Sequence, residues 1–199
     1  MNAYLHRSED RGHVKMGWLD TKHSFSFGNW YNPKYMGVSA LRVINDDRIA
    51  AHNGFGTHPH DNMEILTCVL SGTISHRDSM GNERHITAGE WQLMSAGTGV
   101  QHSEINNGDE EVHMLQIWIQ PNVRNAEPTY QQIQRDPNTA PNQWHLIVGP
   151  NDNAPPTMNN SHHDINLVFR PKGATPLNLP ELTGEADLDA GIPILMAWG

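Results

Sequence analysis

The stretch Ile65-Leu66-Thr67-Cys68-Val69-Leu70-Ser71-Gly72-Thr73-Ile74-Ser75-His76-Arg77-Asp78-Ser79-Met80-Gly81-Asn82 reads as strand, turn, strand, turn. Its two runs, Ile65–Leu70 and Thr73–Arg77, carry the β-branched and apolar residues that suit a pleated, half-buried surface. Ser71-Gly72 and Asp78–Asn82 supply the small and Asx residues that tight hairpins need. Outward from this stretch the pattern repeats. Val38–Asn45, Trp91–Ser95 and Met114–Ile119 read as further short strands, and Ala88-Gly89-Glu90 as another corner. Helical periodicity is hard to find, because Gly, Pro, Asn and Asp interrupt the chain every few residues. Short strands with explicit turns predict an all-β sandwich or barrel.

The composition shifts near Pro121. Residues 121–162 are rich in Asn, Pro and Gln and hold one apolar run, Trp144–Val148. Asn151–Pro156 reads as a loop. Ile165–Arg170 and Ile192–Trp198 read as strands, whereas Leu177–Leu182, interrupted by Pro180, is a poor central strand. A second independent sandwich takes roughly 100 residues, and residues 139–199 number 61. The predicted division is a complete β-domain, residues 1–138, followed by an appendage or an incomplete second domain, residues 139–199.

Lys plus Arg number 13 and Asp plus Glu 22, giving a net charge of −9, and the 13 His equal all Lys and Arg together. An acidic chain without a basic run is not suited to nucleic acid, which needs clustered cations to displace counterions. The first ten residues hold no apolar leader, and no stretch approaches the ~18 apolar residues of a membrane span. The expected setting is therefore the cytoplasm. A single cysteine, Cys68, excludes an intrachain disulfide and a multi-cysteine zinc site. Its apolar neighbours predict a buried, inert thiol. Chemistry has to come from histidines and carboxylates.

Two segments concentrate them. In Gly54-Phe55-Gly56-Thr57-His58-Pro59-His60-Asp61-Asn62-Met63-Glu64, the two histidines stand two apart. Residues i and i+2 of a strand share a face, and Pro59 pushes His58 toward extended geometry. Glu64 follows after a turn and is a possible oxygen ligand. In Gly97-Thr98-Gly99-Val100-Gln101-His102-Ser103-Glu104, His102 and Glu104 repeat the spacing behind a Gly-rich corner. Each pair alone has a plainer reading, as surface side chains of a His-rich chain. Two such pairs facing each other inside one barrel would bring three imidazoles and a carboxylate together. That donor set suits Fe(II), Mn, Ni, Cu or Zn. Spacing alone does not choose between Glu64 and Glu104.

With these motifs stand Arg11-Gly12-His13, Gly17-Trp18-Leu19-Asp20, His23-Ser24-Phe25-Ser26-Phe27, Leu41–Asp47, Met94–Gly99 and Gln116-Ile117-Trp118. The ordered set over residues 11 to about 120 resembles the pirin family of the cupin superfamily, in particular the bacterial pirin-like quercetin dioxygenases. The resemblance implies a cupin jelly-roll barrel with metal ligands His58, His60, His102 and Glu104. Glu64 then becomes a supporting group or an alternative ligand. It implies one divalent transition metal per chain, Fe(II) being the expected ion. The implied activity is opening of a flavonol such as quercetin with O₂, with Glu104 acting in turn as ligand and proton acceptor. Some pirins are described as transcriptional cofactors, so an iron redox-sensing regulator working through protein contacts is the alternative. The family's second cupin domain is matched here only at its beginning. Open sheet edges there would invite pairing with a second copy.

Phe55 and Gln116 are candidate pocket residues. Phe25, Phe27 and Phe55 could all line a pocket for an aromatic substrate but are read first as core packing, and Trp18, Trp30, Trp91 and Trp118 as core or barrel-mouth packing, with Trp91 a possible flank for a planar ligand. His162-His163 reads as a solvated pair. His6, His13, His23, His52, His76, His85, His113 and His145 show no pairing pattern and receive no role.

Overall fold

The computed structural model describes residues 6–134, 145–150, 158–160, 165–170 and 192–197. Apart from a short 3-10 turn at Ser8–Asp10, every regular element among them is a strand. The strands are β1 (Gly12–Met16), β2 (Leu19–His23), β3 (Leu41–Ile49), β4 (Gly54–His60), β5 (Glu64–Ser71), β6 (Thr73–Asp78), β7 (Glu83–Thr87), β8 (Glu90–Ser95), β9 (Val100–Ile105), β10 (Val112–Ile119), β11 (Thr129–Gln134), β12 (His145–Pro150), β13 (Met158–Asn160), β14 (Ile165–Arg170) and β15 (Ile192–Ala197). The expected all-β class is what the structure has. No helix among the described residues is long and apolar enough to cross a membrane.

Three sheets form. A seven-stranded antiparallel sheet has the order β1-β2-β3-β10-β5-β8-β11, and a four-stranded antiparallel sheet the order β4-β9-β6-β7. A third sheet, β13-β12-β14-β15, is mixed, with β12–β13 and β14–β15 parallel. Two cores explain why β5 and β10 read as nearly continuous apolar runs, as expected for strands covered on both faces. Leu66, Cys68, Trp91, Leu93, Leu115, Ile117 and Ile119 pack on one side of the large sheet, together with Ile147, Val148 and Met158 of the third. On the other side Leu19, Ile49, Val69, Val112 and Met114 pack against Ile74 and Ile86 of the β4-β9-β6-β7 sheet.

That second interface changes character along its length. Strand alternation continues its inner face from Leu19 to Thr21 and His23, from Ile49 to Asp47 and Asn45, and from Met114 to Gln116 and Trp118. These polar side chains are buried, with Trp118 half-buried. The sandwich is therefore dry at one end and polar at the other, and the polar end holds the candidate site.

Several strand boundaries differ from expectation. The strand predicted over Val38–Asn45 runs over Leu41–Ile49 instead. Val38 closes an isolated bridge with Leu41 across Ser39, whose φ of 52° makes a turn. At the other end Asn45 and Asp47 stay in the strand because they face the polar interior, where β-propensity does not decide. Trp91 is not a ligand flank: it is 1 % exposed and packs in the core on the far face. Cys68 is buried as expected, and burial pushes its thiol pKa up. Trp144–Val148, Ile165–Arg170 and Ile192–Trp198 correspond to β12, β14 and β15. Asn151–Pro156, His162-His163 and Leu177–Leu182 lie outside the described residues.

Candidate metal centre

β4 and β9 pair antiparallel, with His58 opposite His102 and Phe55 opposite Glu104. Gly54 lets the two strands close. A Cβ there would lie 2.2 Å from the Glu104 carbonyl oxygen and 2.7 Å from Ile105 Cα. At the other end Gly97, with φ +46°, sits against the Ala126 carbonyl, where a Cβ would stand 2.1 Å away. Any side chain at either glycine would displace backbone, so glycine is required at both positions.

The pairing brings three imidazoles together. Among the described residues, His58, His60 and His102 form a group whose ligand nitrogens lie within 4.8 Å of one another. Their ring centroids are 4.4 to 5.0 Å apart. Nε2 of His60 and Nε2 of His102 are both buried with no hydrogen-bond partner. An unpaired buried ring nitrogen is costly unless something else takes its lone pair. His58 uses Nδ1 on the Gly56 carbonyl at 2.7 Å, which leaves Nε2 as its outward nitrogen. Burial, reinforced by the neighbouring imidazoles, lowers the His60 pKa to about 4 and that of His102 to about 3. Both rings are neutral near pH 7 and present lone pairs, as a divalent ion requires. Orphaned nitrogens, neutral rings and close spacing fit a transition metal.

Glu104 is 1 % exposed and stands next to this group rather than inside it. Its Oε1 accepts from the Thr67 hydroxyl at 3.1 Å and its Oε2 from the Gln116 amide at 2.9 Å. Gln116 is itself oriented by the Trp118 indole N–H, which donates to its Oε1 at 3.1 Å. Glu64 lies at the start of β5, buried, and accepts a hydrogen bond from the Ser95 hydroxyl.

His58, His60, Glu104, Phe55 and Gln116 all line one cavity of about 240 Å³. His102 lies behind it, 1 % exposed. The other wall consists of Leu19, Thr21, His23, Phe27, Asn45, Asp47 and Trp118. Phe27 meets Trp118 edge-on at 5.3 Å, and Trp118 meets His60 edge-on at 4.9 Å. Phe27 thus belongs to the pocket, whereas Phe25 packs on the large core. His23 is a pocket residue that had no assigned role. Its Nδ1 bonds Asn45 Oδ1 at 2.7 Å, and burial lowers its pKa against that bond. Asp47 was also missed. Burial pushes its carboxyl up to about 7; the Thr21 hydroxyl works against this, and Glu104 and Asp46 add to it.

His76, also without an assigned role, stands behind His102. Its Nδ1 is 3.5 Å from His102 Nδ1, and its Nε2 is 3.0 Å from Asp78 Oδ2. The signal was available: His76-Arg77-Asp78 has the same spacing as His102-Ser103-Glu104.

Fold and site together define a jelly-roll sandwich of the cupin class with a histidine cluster able to hold a metal at the polar end of its interior. A family model described as Pirin matches residues 5–119, and the chain belongs to the pirin family. It is 57 % identical over 134 residues to a protein from Escherichia coli (strain K12) named quercetin 2,3-dioxygenase, a match covering 67 % of this chain and 58 % of that protein. A relative from Mycobacterium bovis is 38 % identical over 179 residues, covering 88 % of this chain and 73 % of its own. Among solved structures, the bacterial pirin YhhW from Escherichia coli in complex with nickel(II) is similar at a TM-score of 0.70 and 52 % identity. That likeness covers 74 % of this chain and 62 % of the other. The chain spans less than two thirds of the length of these Escherichia coli relatives.

Proposed function

We propose that this chain is a metal-dependent dioxygenase that opens a flavonol of the quercetin type. His58, His60, His102 and Glu104 hold one divalent transition metal, with Fe(II) the expected ion. The observation that carries the reading is the group of three imidazoles, two with orphaned Nε2 atoms, beside a cavity walled by Phe27, Phe55 and Trp118. When bound, the ion supplies Lewis-acid stabilisation of negative charge on the flavonol oxygen. The chain supplies the rest. The aromatic side chains hold a flat apolar ligand and exclude water. Glu104 takes the flavonol hydroxyl proton, and Thr67 and Gln116 keep its two oxygens aimed. The orientation of Glu104 toward the cavity favours it over Glu64 as the carboxylate ligand. The names of the similar proteins support the same substrate class. The division into a metal-holding unit, 1–138, and a shortened cupin-like segment, 139–199, belongs to the same proposal. It is supported by the separate β13-β12-β14-β15 sheet.

The test is reconstitution with Fe, Mn, Ni or Cu, following quercetin absorbance together with O₂ uptake. Coupled loss of both with at least one metal is the expected result. No turnover with any metal in a filled site overturns the proposal.

A further inference from the structure

β6 and β9 are neighbours in one antiparallel sheet, with Asp78 opposite His102 and His76 opposite Glu104. Residues directly opposite share a face, so all four side chains point into the same interior. His76 and His102 are each 1 % exposed, and the side chains of His76 and Asp78 are fully enclosed. The Asp78 carboxylate is held in place from its own turn. The Met80 and Asn82 backbone N–H groups donate to Oδ1 at 2.9 and 3.0 Å, and the Asn82 amide donates to Oδ2 at 2.9 Å. Tyr130 lies against His76, with ring centroids 5.0 Å apart.

For neutral imidazoles these contacts fix where the protons sit. A neutral imidazole has one N–H and one lone pair. Asp78 is an acceptor, so His76 Nε2 carries the proton and donates to it. His76 Nδ1 is then a lone pair, and the atom facing it at 3.5 Å, a long contact, is His102 Nδ1. That nitrogen must be the donor, which leaves the lone pair of His102 on Nε2, the orphaned atom that faces His58 and His60. The reverse arrangement would turn a proton toward the metal group and set two lone pairs against each other.

We propose that His76 and Asp78 form a positioning relay that locks His102 in its Nδ1–H form and aims its Nε2 lone pair at the metal. The inference rests on the metal reading above. It extends the site by two residues, neither of which touches the metal or the cavity. An imidazole backed in this way is a stronger and better oriented ligand than one left to water, and such outer partners typically carry about 10–100-fold in metal affinity.

Two measurements test it. In the metal-free protein, ¹⁵N-imidazole NMR should find His102 as the Nδ1–H tautomer and His76 as the Nε2–H tautomer. An Nε2–H His102 overturns the relay. The second is nickel(II) affinity for the parent, His58→Ala, His76→Leu and His76→Asn. Leu and Asn have nearly the same shape, but only Asn offers an oxygen near the position of Nδ1. His76→Leu should weaken nickel by about tenfold or more, and His76→Asn should recover most of that loss. Unchanged affinity in folded His76→Leu, or equal losses in both, overturns the relay while His58→Ala still abolishes binding. A parent that takes up no nickel, or His58→Ala binding as the parent does, overturns the metal reading itself. If the His76 variants do not fold, the tautomers of the parent decide.

Discussion

β9 and β6 carry the same short pattern, a histidine and an acid two residues apart, on adjacent strands of one sheet. On β9, His102 has an orphaned Nε2 and Glu104 lines the cavity, its oxygens held by Thr67 and Gln116. On β6, the acid bonds its own histidine, and the pair closes on itself behind the site. Spacing puts two side chains on one face; it does not say what that face meets. The antiparallel register decides this, because Asp78 falls opposite His102 and His76 opposite Glu104. One pair is thereby turned toward the cavity and the other backs it.

The largest expected effect is on the β9 side. His102→Ala removes one of the three clustered ring nitrogens, and bound metal should fall below about a tenth of the parent's in elemental analysis. Metal retained at the parent's level would make the two pairs equivalent and erase the comparison. Next comes the acid of the same pair. Glu104→Gln should weaken metal by about tenfold or more, measured by chelator competition, and Glu64→Gln by clearly less. A larger loss from Glu64→Gln would move the carboxylate ligand from β9 to β5. On β6 the change should be milder. Asp78→Asn keeps an acceptor for His76 Nε2, so metal affinity should fall only about threefold or less, below the roughly 10–100-fold that loss of an outer partner costs.

How much of this was legible depended on where the partners lay. β5, β6, β8 and β10 were readable because their runs are apolar and their turns explicit. The His58–His60 and His102–Glu104 pairs were readable because each sits behind a glycine pressed against neighbouring backbone. The wall made by Thr21, His23, Asn45 and Asp47 was not. Buried polar residues alternating along β2 and β3 look in sequence like a solvated face, and only the facing sheet reveals that they are enclosed. His76 was overlooked for a related reason. Its bonded acid is two residues away in sequence, but its meaning comes from His102, 26 residues further along.

An effect on stability alone, with no change in metal binding, separates this wall from both histidine pairs. In the fold, Asp47 keeps its proton up to about pH 7, against 3.8 as its ordinary value. Between those values the unfolded chain binds fewer protons than the folded one. Stability therefore falls as pH rises through that window and levels off above it. At 1.36 kcal/mol per unit the whole effect is at most about 4 kcal/mol. Asp47→Asn should raise the melting temperature of the metal-free protein by several degrees at pH 8 and change it little at pH 4. An equal shift at both pH values would mean that the carboxyl is not held neutral by burial.

The proposed metal site joins three histidines and Glu104. It is tested most directly by metal stoichiometry, measured on the parent and on His58→Ala after loading with nickel(II) and desalting. One ion per chain is expected in the parent and almost none in a folded His58→Ala protein. Equal nickel in the two proteins would contradict the proposed site.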